Sequence, residues 1–168
     1  QFLNTSAHTH GLPDFGYRVG ECFGMRFVGS VGASVLRAST LRDAVTTFAA
    51  HLERWLDGNH LWLEKDGDHV WLCNVARDGL QKFQQMSDQC AMMTLIALVR
   101  GAAGPRWRPT HLRLPVHIAQ SHRDIPSLEG SSVTLSDCGI GFRFPTAFLA
   151  LPVGDAPAEP SSADCTPK

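Results

Sequence analysis

Apolar residues at Leu41, Ala44, Val45, Phe48, Leu52, Trp55 and Leu56 recur with the 3.6-residue period of a single helix face. Ser39 or Thr40 supplies an N-cap oxygen, Asp43 complements the positive end of the helix, and Gly58-Asn59 closes it with residues that tolerate positive φ. The pattern then switches to strands. Residues 60–65 and 68–75 are apolar and aromatic runs flanking Asp66-Gly67, which predicts a hairpin. Taking Asp66-Gly67 as the two-residue loop pairs Lys65 with Asp68 and Trp62 with Trp71, and places both indoles on one face.

A second long helix is predicted within residues 79–100. Its stretch from Cys90 to Val99 is apolar nearly all round, so it should be covered on several sides, by the sheet, the first helix or a second subunit. Residues 111–118 read as a strand, at an edge because of Pro115. Residues 132–135 and 141–144 suggest a final pair of strands, and residues 146–151 one helical turn. Before all of these, residues 14–36 carry five glycines among apolar residues and suggest short, tightly packed helices. The pattern predicts an α+β domain: two longer helices packed on a small antiparallel sheet, with short Gly-rich N-terminal helices. Residues 1–13 read as a disordered or non-native end, 14–153 as the domain, and 154–168 as a flexible linker or tail. With no initiator Met, the chain is expected to be a fragment or a processed product.

Composition narrows the function classes. At 43% hydrophobic residues the chain can build a core without disulfides or metal. A net charge of −1, from 15 basic and 16 acidic residues, argues against this segment gripping nucleic acid by itself. Five cysteines, odd in number and never spaced C-x-x-C, read as reduced thiols of a cytoplasmic protein. No apolar run is long enough to span a bilayer, and the start resembles no signal peptide.

The order of segments resembles the N-terminal domains of AraC-type transcription regulators, the group labelled arabinose-binding. The stretch GSVGASVLRASTLRDA at residues 29–44 is similar to the group's Gly-rich turn leading into a Thr-Leu helix start. DFGYRVGE at residues 14–21, Trp107-Arg108-Pro109 before a strand, and FPTAFLALP at residues 144–152 fall in the matching places. The resemblance implies a module that binds a small-molecule effector and forms a homodimer, while DNA is held by a helix-turn-helix domain C-terminal to it and absent from this chain. Two features depart from the group: only a short polar segment precedes residue 14 where the group has a longer helical start, and residues 127–132 replace an aromatic stretch, so the resemblance carries no ligand identity, arabinose included.

Candidate residues follow. Trp62 and Trp71, flanked by His60 and His69, are either a cross-strand packing pair or one wall of an effector pocket. Arg113, His117, Gln120, His122 and Arg123 form a dense polar group suited to a carboxylate or hydroxyl-bearing effector, or else a solvated loop. Met86, Met92, Met93 and Ile96 on the apolar helix are core filler or a dimer interface. No metal site is expected. His8 and His10 lack defined geometry, and His111 and His117, six apart on one strand, would stand about 20 Å from each other. No cofactor and no catalytic residue is expected, because nucleophile elbow, zinc-protease and phosphate-loop signatures are lacking. A ligand-free dimerisation module and a small enzyme remain the alternatives.

Overall fold

A computed structural model of the chain describes residues 13–76 and 81–154; the expectations for residues 1–12 and 155–168, His8 and His10 included, lie outside them. The elements are α1 (Phe15–Phe23), a 3-10 turn (Gly24–Val28), α2 (Gly29–Val35), α3 (Leu41–Trp55), β1 (Asn59–Asp66), β2 (His69–Ala76), α4 (Gln81–Ala103), β3 (His111–Leu114), α5 (Val116–Ala119), β4 (Ser132–Leu135) and β5 (Ile140–Pro145). Further 3-10 turns cover Pro126–Leu128 and Thr146–Ala150. The fold is α+β, as the pattern predicted.

Helix α3 starts where its cap predicts. The Thr40 hydroxyl accepts the Asp43 N–H at 3.2 Å and donates to the Asp43 carboxylate at 2.7 Å. Helix α1 has no side-chain cap of its own, and α4 supplies one. Gln89, buried, accepts the Gly16 N–H at 3.1 Å through Oε1 and donates through Nε2 to the Pro13 carbonyl at 2.7 Å and to Ser121 Oγ at 2.9 Å. The Cys90 thiol donates to the Gly16 carbonyl at 3.2 Å. Gly16 and Gly20 lie one turn apart on the face of α1 that meets α4, which lets the two backbones approach closely.

The all-round apolarity of α4 is answered inside this chain: α1, the first 3-10 turn, α3 and the sheet all pack on it. Met92, Met93 and Ile96 are 0%, 1% and 0% exposed. Of the two uses offered for them, core filler and dimer interface, they take the first within this chain.

The sheet runs β1-β2-β5-β3-β4. Only β3 and β4 are parallel, where an antiparallel sheet was expected. The last two strands are not neighbours either, since β3 lies between them. The connection through α5 and Pro126–Leu128 is long enough to return β4 in the same direction as β3. Pro115 ends β3 and starts α5 instead of lying within a strand, because it has no N–H for a ladder and its φ of −60° suits a helix entry. His117 is therefore helical and shares no strand face with His111.

In the hairpin, Asp66 pairs with His69, Trp62 with Cys73 and Trp71 with Glu64. The loop is Gly67-Asp68, with Gly67 at φ +61° and Asp68 at negative φ, a two-residue turn that needs its glycine first. The expected register was thus two residues out. An even error keeps every side chain on its face, so both indoles still share one side of the sheet.

The inner face, with Leu61, Leu72, Phe142, Phe144 and Leu112, is buried against α3 and α4. Trp107 closes its end, with its ring centroid 5.9 Å from that of Phe142 and 6.2 Å from that of Phe148. Cys73, Cys90 and Cys138 are free, whereas Cys22 is disulfide-bonded. The expectation of reduced thiols fails at Cys22, because pairing depends on proximity in space, which spacing along the chain does not reveal.

Candidate functional site

Alternation along the strands puts His60, Trp62, Trp71 and Arg113 on the outer face of the sheet. The Arg113 guanidinium sits 4.0 Å from the Trp71 ring centroid and forks onto Glu64 at 2.9 and 3.0 Å. The Trp71 indole donates to Asp66 at 3.1 Å, and Arg143 donates to the same carboxylate at 3.2 Å. These bonds hold the Glu64 and Asp66 carboxyls below the ordinary range, chiefly through Arg113 and Trp71 respectively. The Arg113 guanidinium over its ring covers Trp71, which is only 7% exposed. His60 stacks on Trp62 at 5.3 Å and meets Glu53 of α3 at 2.8 Å. Beneath Arg113, burial pushes the Cys73 thiol up to about 11, so it stays protonated. The fork of Arg113 in this layer is already occupied by Glu64.

His117 lies elsewhere, on α5, with Nε2 2.9 Å from the Asp88 carboxylate of α4. Gln84 donates to the other Asp88 oxygen at 2.9 Å. Asp88 is 3% exposed, and burial raises its pKa despite the bonds from His117 and Gln84; buried Tyr17 faces the same carboxylate. The native state thus holds the Asp88 proton more tightly than the unfolded chain, a stabilisation present at low pH and lost as pH rises through the raised value. Compared with Asp88→Asn, the wild type should lose stability as pH rises from the ordinary aspartate range toward neutrality. Urea midpoints for both proteins across that range, repeated in a His117→Gln background to isolate the carboxyl, check this; a gap moving the other way refutes it. His122 is buried, with its ring against the Ala119 carbonyl, and Arg123 is exposed on the turn after α5.

The sequence-predicted ligand residues thus fall in three places, and none of them lines the cavity on the opposite side of the sheet. There, where β1 begins and β2 ends, α3, α4 and the first 3-10 turn enclose a cavity of about 270 Å³. Phe48 and Leu52, one turn apart on α3, and Leu56 just past its end form one wall. Ser87, Ala91 and Thr94 of α4, small residues on one face, leave the space open opposite Asn74 and Ala76 of β2. Phe27 and Leu56 are 46% and 43% exposed and mark the mouth. Met86, read from the sequence as core filler or part of a dimer interface, lines this cavity. The Asn74 amide donates to the His60 carbonyl at 3.2 Å and to Asn59 Oδ1 at 3.4 Å. Thr94 is 3% exposed and its hydroxyl has no hydrogen-bond partner.

One signal for this site was present in the chain. On the inner side of β2 the alternation Val70, Leu72 ends in Asn74 and Ala76, a polar and a small residue where bulk is expected. Among the described residues, no group of three or more His, Cys, Asp or Glu is placed to hold a metal ion, and no helix is long and apolar enough to cross a membrane.

Fold and cavity together define an α+β domain in which a helical layer on one face of a mixed sheet encloses an apolar chamber. The chain belongs to the family described as the N-terminal arabinose-binding domain of AraC transcription regulators, which matches residues 1–153. Among solved structures it is similar to the transcriptional regulator CdpR from Pseudomonas aeruginosa, with a TM-score of 0.65 and 17% identity over 84% of this chain. That likeness is one of fold, and this chain spans 46% of the length of the CdpR chain. No curated protein matches the sequence.

Proposed function

We propose that residues 14–153 form the effector-sensing and dimerisation domain of an AraC-type transcription regulator acting in the cytoplasm, without catalytic activity of its own. The observation that carries the reading is the 270 Å³ cavity between α3, α4 and the hairpin, walled mainly by apolar side chains with a few polar groups, as small-molecule sites are. DNA is contacted by a helix-turn-helix unit outside these residues, in keeping with the net charge of −1. An effector acts by binding one of two conformations of the domain more tightly than the other. The cavity wall suits that role, because α3, α4 and the first 3-10 turn each contribute to it and a ligand there fixes their relative placement.

Thermal-shift screening of a metabolite panel tests the proposal. At 100 times its Kd, a native-state ligand adds about 2.7 kcal/mol, which moves the midpoint of a domain this size by roughly 5–10 °C. Ala91→Phe, which fills the cavity, should remove the shift. A shift that survives this substitution places binding elsewhere. A dimer by light scattering with no ligand response favours a purely structural module.

A further inference from the structure

Resting on that reading, we propose the class of ligand: an uncharged, mainly hydrocarbon molecule with a single hydrogen-bonding head group, and not a sugar. Among the described residues, none of the fifteen that line the cavity is charged. The carboxylate adjacent in sequence, Asp88, is turned away and held by His117 and Gln84. Against these walls an ionised ligand group would be buried without a counter-charge, which is strongly unfavourable.

The lining polar atoms are few and partly committed. The Asn74 amide nitrogen serves the His60 carbonyl and Asn59 Oδ1, and the Cys90 thiol serves the Gly16 carbonyl. A sugar brings several hydroxyls, each of which must recover the hydrogen bonds it made in water. Walls of Phe27, Phe48, Leu52, Met86 and Leu95 return none of them. One head group, by contrast, has a partner waiting. Thr94 holds a buried hydroxyl with no bond, and a helical threonine populates two χ1 rotamers, so this hydroxyl can be re-aimed at a ligand.

Size and access agree. About 270 Å³ corresponds to a ligand on the order of ten non-hydrogen atoms. The mouth at Phe27 and Leu56 is apolar, and Trp55, next to Leu56 in the chain, is 73% exposed. An aliphatic chain meets hydrocarbon from the rim inward.

Isothermal titration of the purified chain with 1-octanol, octanoate at pH 8 and L-arabinose tests this. Octanol should bind one per chain, at least tenfold tighter than octanoate, and arabinose should give no binding heat. Ala91→Phe, or Ser87→Leu should that variant fail to fold by circular dichroism, should weaken octanol at least tenfold. Thr94→Val should weaken it several-fold while leaving the protein folded. Arabinose or octanoate binding more tightly than octanol, and blocked by the cavity-filling variant, overturns the ligand class but leaves the effector cavity standing. Absence of octanol binding also overturns the class. If all three probes fail and the metabolite panel gives no shift that Ala91→Phe removes, the cavity reading falls with it.

Discussion

Replacing Phe142 by alanine should destabilise the domain by about 3–5 kcal/mol. The residue is fully buried on the inner face of β5, the strand between β2 and β3, and pairs with Leu72 on one side and Leu112 on the other. Its ring centroid is 5.9 Å from Trp107 and 6.1 Å from Phe144, in tilted arrangements that aromatic rings favour. Truncation removes the ring from water-free surroundings and leaves a hole. The neighbours that would have to fill it stand on paired strands or are themselves packed on Phe148, so collapse is limited. Against a typical total of about 5–15 kcal/mol, that is at least about a fifth of the stability. The thermal midpoint should fall by about 6–20 °C, and urea unfolding followed by tryptophan fluorescence reads the same loss. A cost below about 1 kcal/mol is incompatible with this packing. Phe142→Leu, which keeps most of the volume, should cost far less.

Elements with purely local causes were legible in the chain. Thr40 and Asp43 fix the start of α3 within one turn, and the 3.6-residue period fixes its buried face. Elements whose cause is tertiary were not. The hairpin register depends on whether Asp66 or Gly67 is the first loop residue, a choice settled by which of them accepts φ +61°. The position of β5 between β2 and β3 depends on a crossover that leaves no local mark. The candidate site divided in the same way. Tryptophans and charged residues drew attention to the outer face of the sheet, where Arg113 is already tied to Glu64 and Trp71. The cavity is made of what is missing, small side chains such as Ser87, Ala91 and Ala76 facing one another across the interior, and a search for conspicuous residues passes over them.

The glycines of α1 give the second large effect. Helix propensity alone says that Gly20→Ala should help, by up to about 1 kcal/mol. Packing says the opposite. A Cβ at Gly20 would stand 2.7 Å from the Met93 Cβ and 3.1 Å from the Cys90 carbonyl oxygen; at Gly16 it would stand 2.6 Å from the Met86 carbonyl oxygen and 2.8 Å from the Gln89 Cβ. Met93 is 1% exposed, and its Cβ is fixed to the α4 backbone, so neither partner yields without moving a helix. Overpacking of this kind costs about 1–3 kcal/mol, enough to reverse the propensity gain. Gly16→Ala should lie at the upper end, since pushing α1 outward also stretches the Gln89 bond that replaces its missing cap and the Cys90 bond to the Gly16 carbonyl. Gly101→Ala is the control. It also lies in α4, but its Cβ would meet only the Val153 Cγ1 at 3.2 Å and the Leu36 Cδ2 at 3.6 Å, ends of side chains that can turn aside. Denaturation midpoints should therefore rank Gly101→Ala near the wild type, Gly20→Ala well below it and Gly16→Ala lowest. Equal shifts at the three positions would mean that α1 and α4 do not cross backbone to backbone.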